Sequence, residues 1–151
     1  MTTDQLKEKI LSIIPEAVFE EGQWLNVLID AEQWLILAKA LREESEMLFD
    51  YLFCVTGVDW KTHLSMVYHL SSTAHNHIIV VKAKIADREN PKIDSVSLIW
   101  RTAEFNEREA YDLFGIIFTG HPDLRRLLLT DDWVGWPLRK DYDDPVNMIK
   151  L

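Results

Sequence analysis

The spacing of apolar residues changes several times along this chain, and each change marks an element. In TDQLKEKILSIIP, Leu6, Ile10 and Ile13 or Ile14 recur at helical spacing and Pro15 stops the run, which predicts a short first helix. AVFEEGQWLNVLI follows as two short β-prone runs joined around Gly22, the pattern of a hairpin. Asp30 then caps a second helix. Gln33 stands three residues on, as in a capping box, and Trp34, Leu37, Ala38 and Leu41 form the apolar stripe.

Three strands are predicted next, at residues 47–58, 63–70 and 77–85. In the second, Leu64, Met66, Tyr68 and Leu70 alternate with Ser65, Val67 and His69. In the third, Ile79, Val81, Ala83 and Ile85 share one face while Lys82 and Lys84 take the other. SSTAHN and DRENP are turn-rich joints. Asp94 or Ser95 caps a long helix with Val96, Ile99, Trp100, Ala103, Ala110 and Phe114 on one stripe, and Gly115 is suited to end it in the left-handed conformation. After Gly120 the period is lost. PDLRRLLL reads as a short helix and the rest as an extended tail.

Strands joined by tight turns predict a mostly antiparallel sheet flanked by helices. The fold class is α+β, with a long helix and an extended C-terminal tail. Residues 1–120 form a single α+β domain, and residues 121–151 add the short helix and the tail. A βαβ run with a glycine-rich turn is absent, so a dinucleotide-binding fold has no support.

Charge and composition narrow the functions. Acids outnumber bases 25 to 16, and Arg125, Arg126, Arg139 and Lys140 lie among Asp123, Asp131, Asp132 and Asp141 rather than in a basic stripe. That argues against nucleic acid, whose binding draws on phosphate neutralisation. The single Cys54, in the apolar run YLFCV, excludes an internal disulfide and reads as a small core residue. TTDQLKEKI lacks the basic start and apolar core of a signal peptide, and no apolar run approaches the ~18 residues of a bilayer span. A reducing, cytosolic-side location is expected.

The stretch NEREAYDLFG sets Glu107, Arg108, Glu109 and Asp112 among Ala110, Tyr111, Leu113 and Phe114. Arg108 is four residues from both Glu104 and Asp112, so two carboxylates can hold it on one helix face. Glu107 falls on the apolar stripe, where it needs a cation or several donors. A structural ion-pair network, a network touching a partner, and acid–base catalysis are all open. The last lacks an accompanying nucleophile. His75 and His77 flank Asn76 in a turn, and His63 and His69 fall on a strand; this is weak evidence for a metal site, which needs three or four converging ligands. His121, between Gly120 and Pro122, suits a joint in which it or Asp123 hydrogen-bonds backbone groups. In WVGWPLRKDY, Trp133 and Trp136 stand in an extended aromatic and basic segment that suits a groove on a partner; the alternative is a tail folded back on its own domain.

The ordered run NEREAYDLFGIIFTGHPDLRRLLL, followed by DDWVGWPLRKDY, closely resembles the signature of the 30 kDa subunit family of respiratory complex I. This family comprises the C subunit of bacterial NADH-quinone oxidoreductase and the J subunit of the cyanobacterial and plastid enzymes. The likeness is strong from Ser95 to Tyr142, and VTGVDW resembles a family stretch whose acidic position is Asp59. The signature falls on Glu107, Arg108, Glu109, Asp112, His121 and Arg125, and its terminal part on Pro137, Leu138, Arg139, Lys140 and Asp141.

The resemblance implies a structural and interface role for these residues and for Trp133 and Trp136. It implies no catalytic residue, metal or cofactor in this chain, with flavin and iron–sulfur clusters in partner subunits. The expected setting is the peripheral arm of a proton-pumping NADH-quinone oxidoreductase, on the cytoplasmic side of the membrane, with the tail docked on a 49 kDa-type (D-type) partner. Two alternatives stand beside it. One is the same scaffold role in a ferredoxin-dependent or membrane-bound hydrogenase complex; the other is a free-standing metal-dependent enzyme using the carboxylates and His121.

Overall fold

The computed structural model describes residues 1–149. Helix α1 (Thr3–Ile13) opens with a capping box, in which Thr2 Oγ1 accepts the Gln5 N–H and Gln5 Oε1 accepts the Thr2 N–H. Strands β1 (Val18–Glu20) and β2 (Leu25–Asp30) form the expected hairpin. Asp30 and Gln33 make their reciprocal cap around one 3-10 turn, Ala31–Gln33, which leads into α2 (Trp34–Glu43). Strands β3 (Tyr51–Asp59), β4 (Leu64–Ser72) and β5 (His77–Ile85) follow. Helix α3 spans Ala103–Phe114.

The main sheet has the order β1-β2-β5-β4-β3. Its pairings are antiparallel except β2 with β5, which run parallel and set the N-terminal hairpin beside the sequence-distant strands. Cross-strand register explains the core. Leu25, Val27 and Ile29 lie opposite Ile79, Val81 and Ala83, and these lie opposite Leu70, Tyr68 and Met66. That face packs with the apolar stripes of α1, α2 and α3 into a single hydrophobic cluster. Trp34 of α2 stacks on Tyr68 of β4 at 4.2 Å. Gly57 of β3 lets the Phe114 ring approach so closely that a Cβ there would lie 2.8 Å from it.

The structure departs from the expected elements in four places, the first being β3, which begins at Tyr51 rather than at residue 47 because Leu48 turns the chain at a positive φ. The long helix starts at Ala103, not near Ser95. Residues 96–102 form successive turns instead, because Trp100 and Thr102 are drawn to β3 and the segment before it: Trp100 Nε1 donates to Phe49 O and Thr102 Oγ1 to Leu52 O, both at 2.8 Å. These turns keep Val96 and Trp100 buried, so the helical spacing of apolar residues is met without a helix. A small parallel pair, β6 (Lys92–Asp94) with β7 (Ile117–Thr119), flanks α3 and was not anticipated. The predicted helix at PDLRRLLL does not form. Its backbone groups are claimed elsewhere: Arg108 takes the carbonyls of Arg125 and Arg126, and Asp112 takes the N–H groups of Leu127, Leu128 and Leu129. The tail expected to end at Leu151 has its last two residues outside the described ones.

Candidate interface site

Helix α3 turns three charged side chains inward. Glu107, Arg108 and Asp112 are all buried, while Glu109 faces out. Glu107 Oε1 accepts the Val96 N–H at 2.8 Å and its Oε2 lies within hydrogen-bond distance of the Ser95 hydroxyl, at 2.6 Å, which gives it the polar partners that its place on the apolar stripe requires. Burial pushes its carboxyl up to about 7, against the opposing pull of those two hydrogen bonds. His121 does serve the joint after β7. Its Nδ1 accepts the Asp123 N–H and its Nε2 donates to Glu104 O at 2.8 Å.

Arg108 is not clamped between Glu104 and Asp112 as the spacing suggested. Its guanidinium reaches the carbonyls of Arg125 and Arg126 at 3.2 and 2.9 Å, with the Phe105 ring 5.7 Å away. Asp112 instead pairs with Arg126 at 3.0 Å and gathers three successive backbone N–H groups on Oδ2, at 3.2, 2.7 and 3.0 Å. Burial works to raise the Asp112 carboxyl, but those N–H groups and Arg126 outweigh it and hold it below the usual carboxylate range. Arg125, the basic position of the signature, stays on the surface with Asp123.

Arg126 organises the following segment. It donates to Asp112 O, Trp133 O and Gly135 O, and lies 4.6 Å from the centre of the Trp136 ring. Trp136 also meets Tyr111 at 5.5 Å and covers Gly115. Gly115 sits at φ 73°, and a Cβ there would lie 2.6 Å from the indole. This glycine therefore both ends α3 and seats the tryptophan.

A second clamp holds the chain further on. Arg139 Nε donates to Phe114 O at the end of α3 (2.6 Å), and the Leu138 N–H donates to Leu113 O. Asp59, at the end of β3, takes a two-pronged contact from Arg88 and the N–H groups of Lys61 and Lys140, each N–H at 2.8 Å. The Arg88 hydrogen bonds, with these N–H groups, overcome burial and hold the Asp59 carboxyl well below its ordinary value. Arg88 also reaches Asp141 at 3.3 Å. Residues 124–141 thus form a strap fastened at Asp112 and Asp59. Its outer side leaves Leu128, Val134 and Leu138 largely in water, and Trp133 is more than a third exposed.

The strap gathers Arg108, Asp112, Trp136, Arg139, Lys140 and Asp141. Glu107 and His121 form a neighbouring joint, with Nε2 and Oε2 3.9 Å apart. Arg88 and Arg126 escaped the sequence reading. Arg126 stands beside the singled-out Arg125, and only the 14-residue reach to Asp112 distinguishes it. Arg88 stands alone in a turn 29 residues from Asp59 and left no local signal. His75 and His77 stack at 6.4 Å. Among the described residues no cluster of His, Cys, Asp and Glu has the arrangement of a metal site, and no helix is long and apolar enough to cross a membrane.

The chain is similar to known proteins over most of its length. The chain is 50% identical over 127 residues to a C/D subunit of NADH-quinone oxidoreductase from Phocaeicola vulgatus, covering 80% of this chain and 24% of that protein. It is 47% identical over 115 residues to the C subunit of the Chloroherpeton thalassium enzyme, covering 75% and 48%. With the C subunit from Chlorobium phaeobacteroides it shares 44% identity over 142 residues, covering 92% and 85%. The chain therefore spans about a quarter and about half of the first two relatives. Among solved structures, it resembles a trypsin-resistant fragment (1–134) of Nqo5, with a TM-score of 0.68 at 28% identity over 82% of this chain and all of that one. It also resembles a chain of a membrane-bound sulfane sulfur reductase, an archaeal respiratory membrane complex, with a TM-score of 0.70 at 26% identity over 93% and 85%. Residues 27–146 match the family described as "Respiratory-chain NADH dehydrogenase, 30 Kd subunit", and the chain belongs to that family.

Proposed function

We propose that this chain is a non-catalytic scaffold subunit in the peripheral arm of a proton-pumping NADH-quinone oxidoreductase. It supports electron transfer from NADH to quinone by packing against a 49 kDa-type partner, the D-type subunit. The observation that carries this reading is the strap. Arg126 and Arg139 turn inward and are used in holding it, and the Lys140 N–H is bound to Asp59, while Val134, Leu138 and part of Trp133 face solvent. Such a shaped, partly apolar ridge suits a partner surface. Glu109 and Asp141 are exposed and add polar positions. The relative whose name joins C to D supports a D-type neighbour. The flavin and iron–sulfur clusters belong to partner subunits in this reading, and the chain lies on the cytoplasmic side of the membrane.

The likeness to the sulfane sulfur reductase chain favours a second reading, in which the same scaffold serves a membrane complex with another electron donor or acceptor, including a ferredoxin-dependent or hydrogenase type. Affinity isolation of the tagged chain from gently solubilised membranes decides between them. A large assembly with flavin and iron–sulfur absorbance and NADH oxidation supports the first. An assembly with iron–sulfur absorbance but no flavin supports the second. A protein that comes out alone overturns both.

A further inference from the structure

The Glu107 carboxyl is fully buried, and its hydrogen-bond partners are neutral groups, the Val96 N–H and the Ser95 hydroxyl. The titratable groups that face it from other elements are His121, in the turn after β7, and Tyr68, on β4. Neither supplies a positive charge. His121 accepts the Asp123 N–H on Nδ1, so its proton sits on Nε2 and points to Glu104 O, which is the neutral tautomer. Tyr68 is a fully buried phenol, and on ionising it could only add negative charge. Along α3, Arg108 commits its guanidinium to the strap carbonyls, and Glu104 offers only a like charge.

A buried carboxylate without a counter-charge is strongly disfavoured, whereas a carboxylic acid can accept at one oxygen and donate from the other. The serines complete such a pattern. Ser95 Oγ lies 2.8 Å from Ser97 Oγ and accepts the Ser97 N–H at 3.2 Å. We propose that Glu107 is held as a neutral carboxylic acid that donates to Ser95, which in turn donates to Ser97, and that this proton latches the exit of β6 onto α3. On losing the proton, Glu107 stops donating. Ser95 must then turn its hydroxyl back to the carboxylate and release Ser97, and residues 95–97 open to let water reach the charge. Burial raises this carboxyl to about 7, so the latch responds in the neutral range. The helix it fastens is the one that carries the strap.

The test is an NMR titration of the 151-residue chain with carbon-13 in its glutamate side chains, paired with amide exchange at Val96 and Ser97. The Glu107 signal is the one missing from Glu107→Gln, which keeps an oxygen for the Val96 N–H and offers an amide donor to Ser95. The expected result is an acid-form shift at about pH 6 that moves to the carboxylate value near neutrality, with loss of Val96 and Ser97 protection over the same range. In the glutamine variant that protection becomes independent of pH. A carboxylate signal at about pH 6 overturns the proposal. So does loss of protection that persists in the glutamine variant. If that variant does not fold, Ser95→Ala takes its place. Removing the hydroxyl shifts the Glu107 midpoint upward, because a hydrogen bond to the charged form is the stronger one, and an unmoved midpoint also overturns the proposal.

Discussion

Asp112 and Arg126 meet at 3.0 Å with the carboxylate side chain fully out of water. The same carboxylate closes on three consecutive backbone N–H groups, so it does the work that a helix ladder would otherwise do for residues 127–129. Asp112→Ala leaves those donors and the nearly buried Arg126 without their partner. Breaking a buried pair from one side typically costs about 3–5 kcal/mol. The expected outcome is destabilisation of that order in chemical denaturation, with new protease cleavage between residues 124 and 141. A loss below about 1 kcal/mol, within the range of exposed pairs, would show that the strap is held by its other contacts.

The sequence showed most of the sheet and little of the strap, for a physical reason. Strand alternation and helix stripes are local, and Leu64 to Leu70 or Trp34 to Leu41 display their buried faces within one element. Glu107 was readable for the same reason, as a charge on an apolar stripe. Arg126 to Asp112, Arg88 to Asp59 and Lys140 to Asp59 join positions 14 to 81 residues apart, and nothing periodic announces them. Those long-range bonds also removed the short helix that PDLRRLLL suggested and left Arg108 facing carbonyls rather than its i±4 carboxylates.

Gly115 links the end of α3 to the seat of Trp136. Gly115→Ala places a Cβ against the indole at a φ of 73°, where an L-residue pays about 1–2 kcal/mol. The expected outcome is a red-shifted, more quenchable tryptophan emission with unchanged helical circular dichroism. An unmoved emission spectrum would mean that Trp136 does not depend on this glycine.

The carboxylates respond to pH in opposite directions. Asp59 and Asp112 are held below their unfolded values, so the stability they contribute is present above about pH 4 and is lost as the pH falls towards their folded values. Glu107 is raised from 4.5 to about 7, so its contribution is full below 4.5 and is lost as the pH rises through about 7. Thermal unfolding followed from acid to neutral pH is expected to show a stability maximum on the acid side of neutrality. Glu107→Gln is expected to flatten the neutral-side decline, and Asp59→Asn to weaken the acid-side rise. A decline above about pH 6 that survives in Glu107→Gln would assign it to other groups.

Arg139 fastens the strap to the end of α3 through Phe114 O, so Arg139→Ala loosens the outer surface of the strap. If the chain is the proposed scaffold subunit, the expected result in cells is less assembled complex, with NADH oxidation per assembled complex close to wild type. Normal assembly with lost turnover would contradict a scaffold role.

Val134 is the sharper probe of docking because it touches so little of its own chain, being 87% exposed on the outer side of the strap. Val134→Glu therefore leaves the fold of the isolated chain intact, with an unchanged melting temperature. If the strap's outer side meets a partner, the same substitution buries a charge in an apolar contact. Co-purification of the proposed D-type partner then falls at least tenfold, equivalent to about 1.4 kcal/mol. Ile36→Glu supplies the control, since Ile36 is an exposed apolar residue on α2, outside the strap. A drop for Val134→Glu alone marks the strap as the docking surface. Equal drops would reflect a general loss of solubility or assembly, and no drop at Val134 would move the interface to another face of the domain.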